Sequence, residues 1–347
     1  MFGTEEVIIK NYLDLGEEAV AKVFKARLVN FLLVGIGVIG FAYLSGDKLS
    51  LFSLIIASQG LSMASVYEVH GQNRRYAIIF LLERAIYIFW LWVGIWLFDG
   101  ATLGWIFWSL CLWTAASICC QVVEKWKYLV TPITTPIGQV WCLGVSIVAF
   151  SVTKYVYGGG TRIFIKESLG YSDLGIYSVA WQFVPLVTMF LTQVSKNWRA
   201  RITEAINKKD FIGFKVITRQ VIFASLIPVI IISIIFSCVG GWIVNLMFSA
   251  EYGRSVILFP LLSVYFVIIN LDVLNSIMWV ALGEMKMFSG IFAFFSLLCA
   301  SVMWVGGGHL LLTQYLLAVV VCHGLAVCAS AVCLIPKLRR VFFQKIK

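Results

Sequence analysis

Residues 217–239, ITRQVIFASLIPVIIISIIFSCV, carry one ionisable side chain, Arg219, near their start. At 1.5 Å per residue a helix of this length is about 35 Å long, enough to cross a hydrocarbon core of about 30 Å. Just ahead of it stand Lys208, Lys209 and Lys215, a basic flank of the kind that stays on the cytoplasmic side of a membrane. In lipid a helix of this composition satisfies its own backbone hydrogen bonds.

The same reading extends outward to ten stretches, at 27–44, 50–69, 76–98, 102–123, 137–157, 174–195, 217–239, 256–282, 289–306 and 313–335. The second is diluted by Gln59 and several serines. Of the 347 residues 61% are hydrophobic and 13% charged, with a mean hydropathy of +0.94. Soluble domains run at about 45–50% apolar and about 25% charged, so a water-soluble fold could not cover this apolar surface. Residues 1–26 are too charged for a cleavable signal peptide. The nine cysteines fall almost wholly in apolar runs without a C-x-x-C pair, and read as small hydrophobes.

Orientation follows from Lys and Arg in the connections. With a cytoplasmic N-terminus the inside segments hold 20 of them and the outside connections four, Lys48, Arg162, Lys166 and Arg254. The span count is then even and both termini are cytoplasmic. The net charge of +10 records loop placement and calls for no nucleic-acid partner. Trp198, Ile202 and Ile206 recur every four residues among basic side chains in 196–214, which predicts a helix lying on an anionic leaflet. Val20, Val23 and Phe24 repeat the theme more weakly in 17–25.

An internal repeat is visible. Gly71-Gln-Asn-Arg74-Arg-Tyr76 precedes the third span and Gly283-Glu-Met-Lys286-Met-Phe288 the ninth, both G-x-x-[RK]-x-[YF] at an offset of 212 residues. The same offset carries span 102–123 onto 314–335, while spans 137–157 and 174–195 find no counterpart. The expectation is a four-plus-six arrangement, with bundles at 1–128 and 129–347, equivalent to a six-plus-six fold without its first helix pair.

Residues 161–183, TRIFIKESLGYSDLGIYSVAWQF, resemble the bacterial O-antigen and polysaccharide flippases. That family shares a superfamily with the multidrug and toxic compound extrusion (MATE) transporters and the lipid II flippases. Arg162, Leu169, Gly170, Asp173, Gly175 and Tyr177 fit its pattern in order. Leu246 to Ser255 is similar to its outside turn before the tenth helix, Leu282 to Lys286 to the turn after it, and Gly3 to Lys10 to the segment after its second helix. Thr161 departs from the aspartate the family often has before its arginine. The resemblance implies an all-α, MATE-like twelve-helix fold whose two bundles surround a cavity open alternately to each side. It also implies a polyprenyl-pyrophosphate-linked oligosaccharide as substrate, flipped from the cytoplasmic to the outer leaflet of the bacterial inner membrane. Other implied partners are membrane lipids and the polysaccharide polymerase machinery; no cofactor is expected.

Ionisable groups inside spans are costly and face a cavity or a partner. A pyrophosphate needs dispersed positive charge, which makes Arg84, Lys154 and Arg162 the candidate headgroup contacts. The structural alternatives are an Arg84–Asp272 pair, a Glu83 pair with a neighbouring span, and a Lys154 that snorkels to the outer interface. Glu83 and Asp272 are candidates for a coupling ion or for static pairs, and His323 reads as a packing histidine. Most tryptophans of the third and fourth spans read as lipid-facing or interfacial belts, with stacking on sugar rings the alternative for a few. No P-loop, H-E-x-x-H or paired-cysteine zinc spacing is present, and no enzyme activity is expected. The outside connections 158–173 and 240–255 are too short for a membrane-embedded glycosyltransferase or polymerase. The competing functions are a cation-coupled drug or metabolite antiporter of the same superfamily, or a truncated, non-transporting remnant.

The orientation is directly testable in a background stripped of the native cysteines. Lys209→Cys is expected to resist a membrane-impermeant maleimide in intact cells and to react after permeabilisation, while Arg254→Cys reacts in both. Labelling of position 209 from outside would reverse the topology.

Overall fold

The computed structural model describes residues 12, 16–46, 61, 66–67, 70–97, 104–105, 108–110, 112–114, 116, 126–133, 149–150 and 152–343. Every regular element among them is helical: α1 (Glu17–Ser45), α2 (Asn73–Leu97), α3 (Lys127–Val130), α4 (Thr161–Leu169), α5 (Tyr171–Trp181), α6 (Phe183–Asn207), α7 (Phe211–Met247), α8 (Phe259–Leu282), α9 (Met285–Gly306) and α10 (Leu312–Phe343), with short π- and 3-10 turns between some of them. Among the described residues seven helical stretches are long and apolar enough to cross a membrane. They match the first, third and sixth to tenth expected spans. Most residues of the spans expected at 50–69, 102–123 and 137–157 lie outside the described residues. Ile230, Ile231, Ile234 and Ile235 on α7, like Leu32, Leu33 and Ile36 on α1, are exposed, a face that water would not tolerate and that lipid suits. The protein is a multi-pass membrane protein.

The chain forms two compact units, Met1–Val148 and Ala149–Lys347. The division expected from sequence stood at 128/129, and residues 134–148 between the two boundaries lie outside the described residues.

In the first unit α1 is enclosed only at its start. Val20, Val23 and Phe24 are buried in protein, whereas the rest of the helix is largely exposed. Lys25 donates to the Thr131 carbonyl at 2.8 Å just past α3, and Glu17 meets His70 at 3.2 Å and Lys127 at 3.7 Å. Burial, then the nearby Glu17 carboxylate, pushes the Tyr128 phenol far above its ordinary range.

In the second unit, Pro185 lacks the N–H that would bond the Trp181 carbonyl, and its ring crowds that carbonyl; the helix breaks at Gln182, separating α5 from α6. Helix α6 then runs unbroken to Asn207. The expected surface helix over 196–214 is therefore corrected. Ile202 and Ile206 pack in protein against Phe214, Val221, Leu274, Ile277 and Ala281, with Trp198 and Phe342 alongside. A four-residue apolar spacing fits a helical neighbour as well as a leaflet. The segment 17–25 is corrected on the same ground. The Asp210 carboxylate caps α7 by accepting from the Gly213 N–H at 2.9 Å. On the exposed face, Glu204 accepts from Lys208 at 2.6 Å and raises the pKa of that lysine.

Helices α7 and α8 are clasped by hydroxyls. Ser233 donates to the Ser263 carbonyl at 3.1 Å, Ser263 to the Ser233 carbonyl at 3.0 Å, and Ser237 and Ser263 share a bond of 2.7 Å. One turn on, Phe259 lies where a Cβ on Gly240 would be, and its ring stacks on Phe236 at 4.2 Å. Small residues letting helices approach, with side chains bonding across, are what holds helices together where lipid supplies no hydrophobic drive.

The repeat reappears at atomic level in each unit taken alone. Gly71 and Gly283 adopt left-handed φ of 68° and 73°. The next residue then bonds the carbonyl five back, Gln72 to Tyr67 at 2.7 Å and Glu284 to Trp279 at 3.2 Å, closing the helix with the same motif. Across the first turn the rings of Tyr67, Tyr76 and Phe80 touch in series, and across the second those of Trp279, Phe288 and Phe292 do so at the 212-residue offset.

Gly240→Leu is expected to destabilise the protein in detergent by about 1–3 kcal/mol, the usual cost of overpacking. Ser263→Ala should cost only about 0.6 kcal/mol, typical of a bond between membrane helices. Thermal melts that rank the two the other way would refute close approach as the main hold between α7 and α8.

Candidate functional site

The segment entering α4 carries Lys154 and ends in Gly158-Gly159-Gly160, three residues that weaken an α-helix. Its last turn, Val156–Gly160, is wound as a π-helix, and the Thr161 hydroxyl donates to the Val156 and Tyr157 carbonyls at 2.9 and 3.2 Å. Such turns recur at functional sites. Gly158 faces Trp181, and Tyr157 lies flat on the His323 imidazole, with ring centres 4.7 Å apart and planes within 2°.

Lys154, Asp272 and His323 meet here, from three elements. The Lys154 ammonium forms an ion pair with Asp272 Oδ2. His323 Nε2 reaches the same oxygen at 3.2 Å, and its Nδ1 lies 3.0 Å from the Tyr265 hydroxyl. Asp272 and His323 are almost fully enclosed, at 2% and 4% side-chain exposure, while Lys154 keeps 32%. Among the described residues Asp272 Oδ1 has no partner. A carboxylate this deep loses several kcal/mol of solvation, which only paired and hydrogen-bonded charge offsets. The ammonium also sits over the Phe150 and Phe292 rings, 4.4 and 5.9 Å from their centres, within range for cation–π attraction.

Lys154 thus turns inward rather than snorkelling, and Asp272 pairs with it and with His323. Arg84, on α2 in the first unit, lies over Phe80 at 4.9 Å and Trp113 at 4.1 Å, and its neighbour Glu83 is buried at 8% exposure. Trp113 is thereby a platform, unlike the exposed Trp92, Trp96 and Trp108. Each cation stands four residues after an aromatic it covers, Phe80 for Arg84 and Phe150 for Lys154. Arg162 is half-buried at the start of α4, its Nε without a partner among the described residues. Asp173 faces Arg254 at 3.9 Å. Sequence reasoning flagged Lys154 and Asp272 separately but missed Tyr157 and Tyr265, and it took His323 for packing. A histidine inside a span was the available signal.

Neither a protein-family model nor a curated protein matches the sequence. Solved structures do. The outward-facing conformation of a multidrug resistance MATE family transporter of the MOP superfamily aligns at a TM-score of 0.76 and 12% identity, over 99% of this chain and 84% of that one. A MOP superfamily transporter from Pyrococcus furiosus Vc1 aligns at 0.74 and 12%, again over 99% and 84%. A MATE structure in complex with MaL6 aligns at 0.75 and 13%, over 98% and 84%. At these identities the likeness shows the fold, and the fold is MATE-like, as expected.

Removing Lys154 should cost more than removing the charge of Asp272, because only the former strips a counter-ion from an enclosed group. Lys154→Met is expected to lower stability at pH 8 by roughly 3 kcal/mol, the low end for breaking a buried pair, and Asp272→Asn by less. The double variant should recover part of the loss, with a coupling of about 0.5–3 kcal/mol. Additive effects in detergent melts would mean that the pair contributes nothing.

Proposed function

We propose that this chain is a transporter that flips a polyprenyl-pyrophosphate-linked oligosaccharide from the cytoplasmic to the outer leaflet of the bacterial inner membrane by alternating access, with both termini cytoplasmic. The observation that carries this reading is the sorting of charge by access. Lys154 keeps 32% exposure while its partner Asp272 keeps 2%, and Arg84 is half-buried beside a buried Glu83. In each unit taken alone, a ligand arriving at the pair meets the cation first. Phosphate oxygens suit such sites, since Arg and Lys donate charge-assisted hydrogen bonds to them. The MATE-like fold and the flippase-like segment 161–183 support the same conclusion, and Arg162, whose Nε has no partner among the described residues, adds a second cation to the second unit.

One observation favours the second reading, a cation-coupled antiporter of the same superfamily. Several structural neighbours are MATE transporters, one of them described as a multidrug resistance protein. Against that stands the Pyrococcus furiosus neighbour, whose pocket of reversed polarity was taken to suggest a different function. Accessible lysine and arginine likewise suit an anion better than a cationic drug.

Complementation of a strain lacking its glycan flippase separates the two. The protein is expected to restore surface polysaccharide, and Arg84→Ala and Lys154→Ala to reduce restoration about tenfold or more while still inserting, as loss of a charge-assisted bond of about 1.5–3 kcal/mol requires. Efflux of cationic dyes without restored glycan would establish the antiporter instead.

A further inference from the structure

We propose that Lys154 is a movable counter-ion, released from Asp272 to an anionic phosphate ligand when His323 takes up a proton, so that ligand and proton bind together. The inference rests on the headgroup-binding role given to Lys154 above and adds how that role is controlled.

Lys154 and His323 converge on Asp272 Oδ2, but only Lys154 can leave. Asp272 and His323 are enclosed and fixed by packing, whereas Lys154 has a long flexible stem and the exposure to meet a ligand. The Phe150 and Phe292 faces keep the ammonium seated while it changes partner. Its departure would leave Asp272 as a bare charge in a low-dielectric interior, which is strongly unfavourable. Protonating His323 removes that penalty, because an imidazolium is already in place beside the same oxygen. The charge count closes in both states. Before, Asp272 is balanced by Lys154 beside a neutral imidazole. Afterwards it is balanced by imidazolium, and Lys154 is balanced by the ligand.

The hydrogen bonds close as well. A carboxylate only accepts, so Nε2–H of the neutral ring donates to Asp272, and Nδ1 accepts from the Tyr265 hydroxyl. The incoming proton, from solvent, goes to Nδ1, and the Tyr265 hydroxyl rotates to accept from it. The face of Tyr157 flat against the ring stabilises the cation. The titratable and charged groups around His323 are Lys154 and Tyr157 before α4, Tyr265 and Asp272 on α8, Cys299 on α9 and Cys322 on α10, with Tyr177 of α5 behind Tyr265. Of these, Asp272 alone is a carboxylate.

Calorimetric titration of the purified protein with farnesyl pyrophosphate, in buffers of different ionisation enthalpy, counts protons taken up per ligand bound. Wild type is expected to take up about one proton more than His323→Gln, a difference in which the ligand's own protons cancel. Its affinity relative to that variant should rise about tenfold per unit of falling pH across the transition. Tyr265→Phe, which loses the acceptor for Nδ1–H, should bind with reduced proton uptake and covers the case in which His323→Gln does not fold. Lys154→Gln should bind weakly with no extra proton. Binding by wild type with the same proton count as both histidine-site variants would overturn the switch and leave the headgroup reading intact. Failure of wild type to bind farnesyl pyrophosphate at any pH would overturn both.

Discussion

Hydrocarbon offers no hydrogen bonds, and almost everything in this molecule answers to that fact. Backbone groups close on themselves in helices, and the described elements are helical throughout. Side chains follow the same rule. Ser233, Ser237 and Ser263 bond one another across α7 and α8, Asn275 donates to the Val327 carbonyl and Ser330 on α10, and Ser296 donates to the Thr153 carbonyl. Asp272 is the extreme case: one enclosed carboxylate gathers a lysine, a histidine and, through it, a tyrosine. The polar seam within the second unit is thus also what fixes its helices against each other.

Much of this was legible in the sequence because lipid imposes a length and a composition on every crossing. A run such as 217–239 admits one reading, and a charge such as Asp272 inside a span announces itself. Partnership is not written that way. Lys154 and Asp272 lie on helices far apart in the chain, and no periodicity links them. His323 looked inert for the same reason, since a packing histidine and a hydrogen-bonded one share the same apolar surroundings in sequence. The stripe Trp198, Ile202, Ile206 misled because spacing reveals that a face is apolar without naming what covers it; the cover is protein from α7, α8 and α10.

The site also explains why counting acids against bases in the spans decides little. Glu83 beside Arg84 and Asp272 beside Lys154 look balanced, yet acid and base differ in access. Glu83 and Asp272 are enclosed, while Arg84 and Lys154 lie on aromatic faces with part of their surface open. Electrostatic character toward a ligand depends on which charges it can touch. Burial here turns a nearly neutral set of intramembrane charges into a basic one.

The matching glycine turns at Gly71 and Gly283, each leading into the same chain of three rings, reach beyond packing. A left-handed closure, a buried aromatic ahead of it and two rings behind it do not converge by chance at a constant spacing. They are what duplication of one segment would leave behind. What distinguishes the copies today is the recent layer of their history: the first carries its cation on the repeated helix itself, as Arg84, whereas the second borrows Lys154 from the helix before α4.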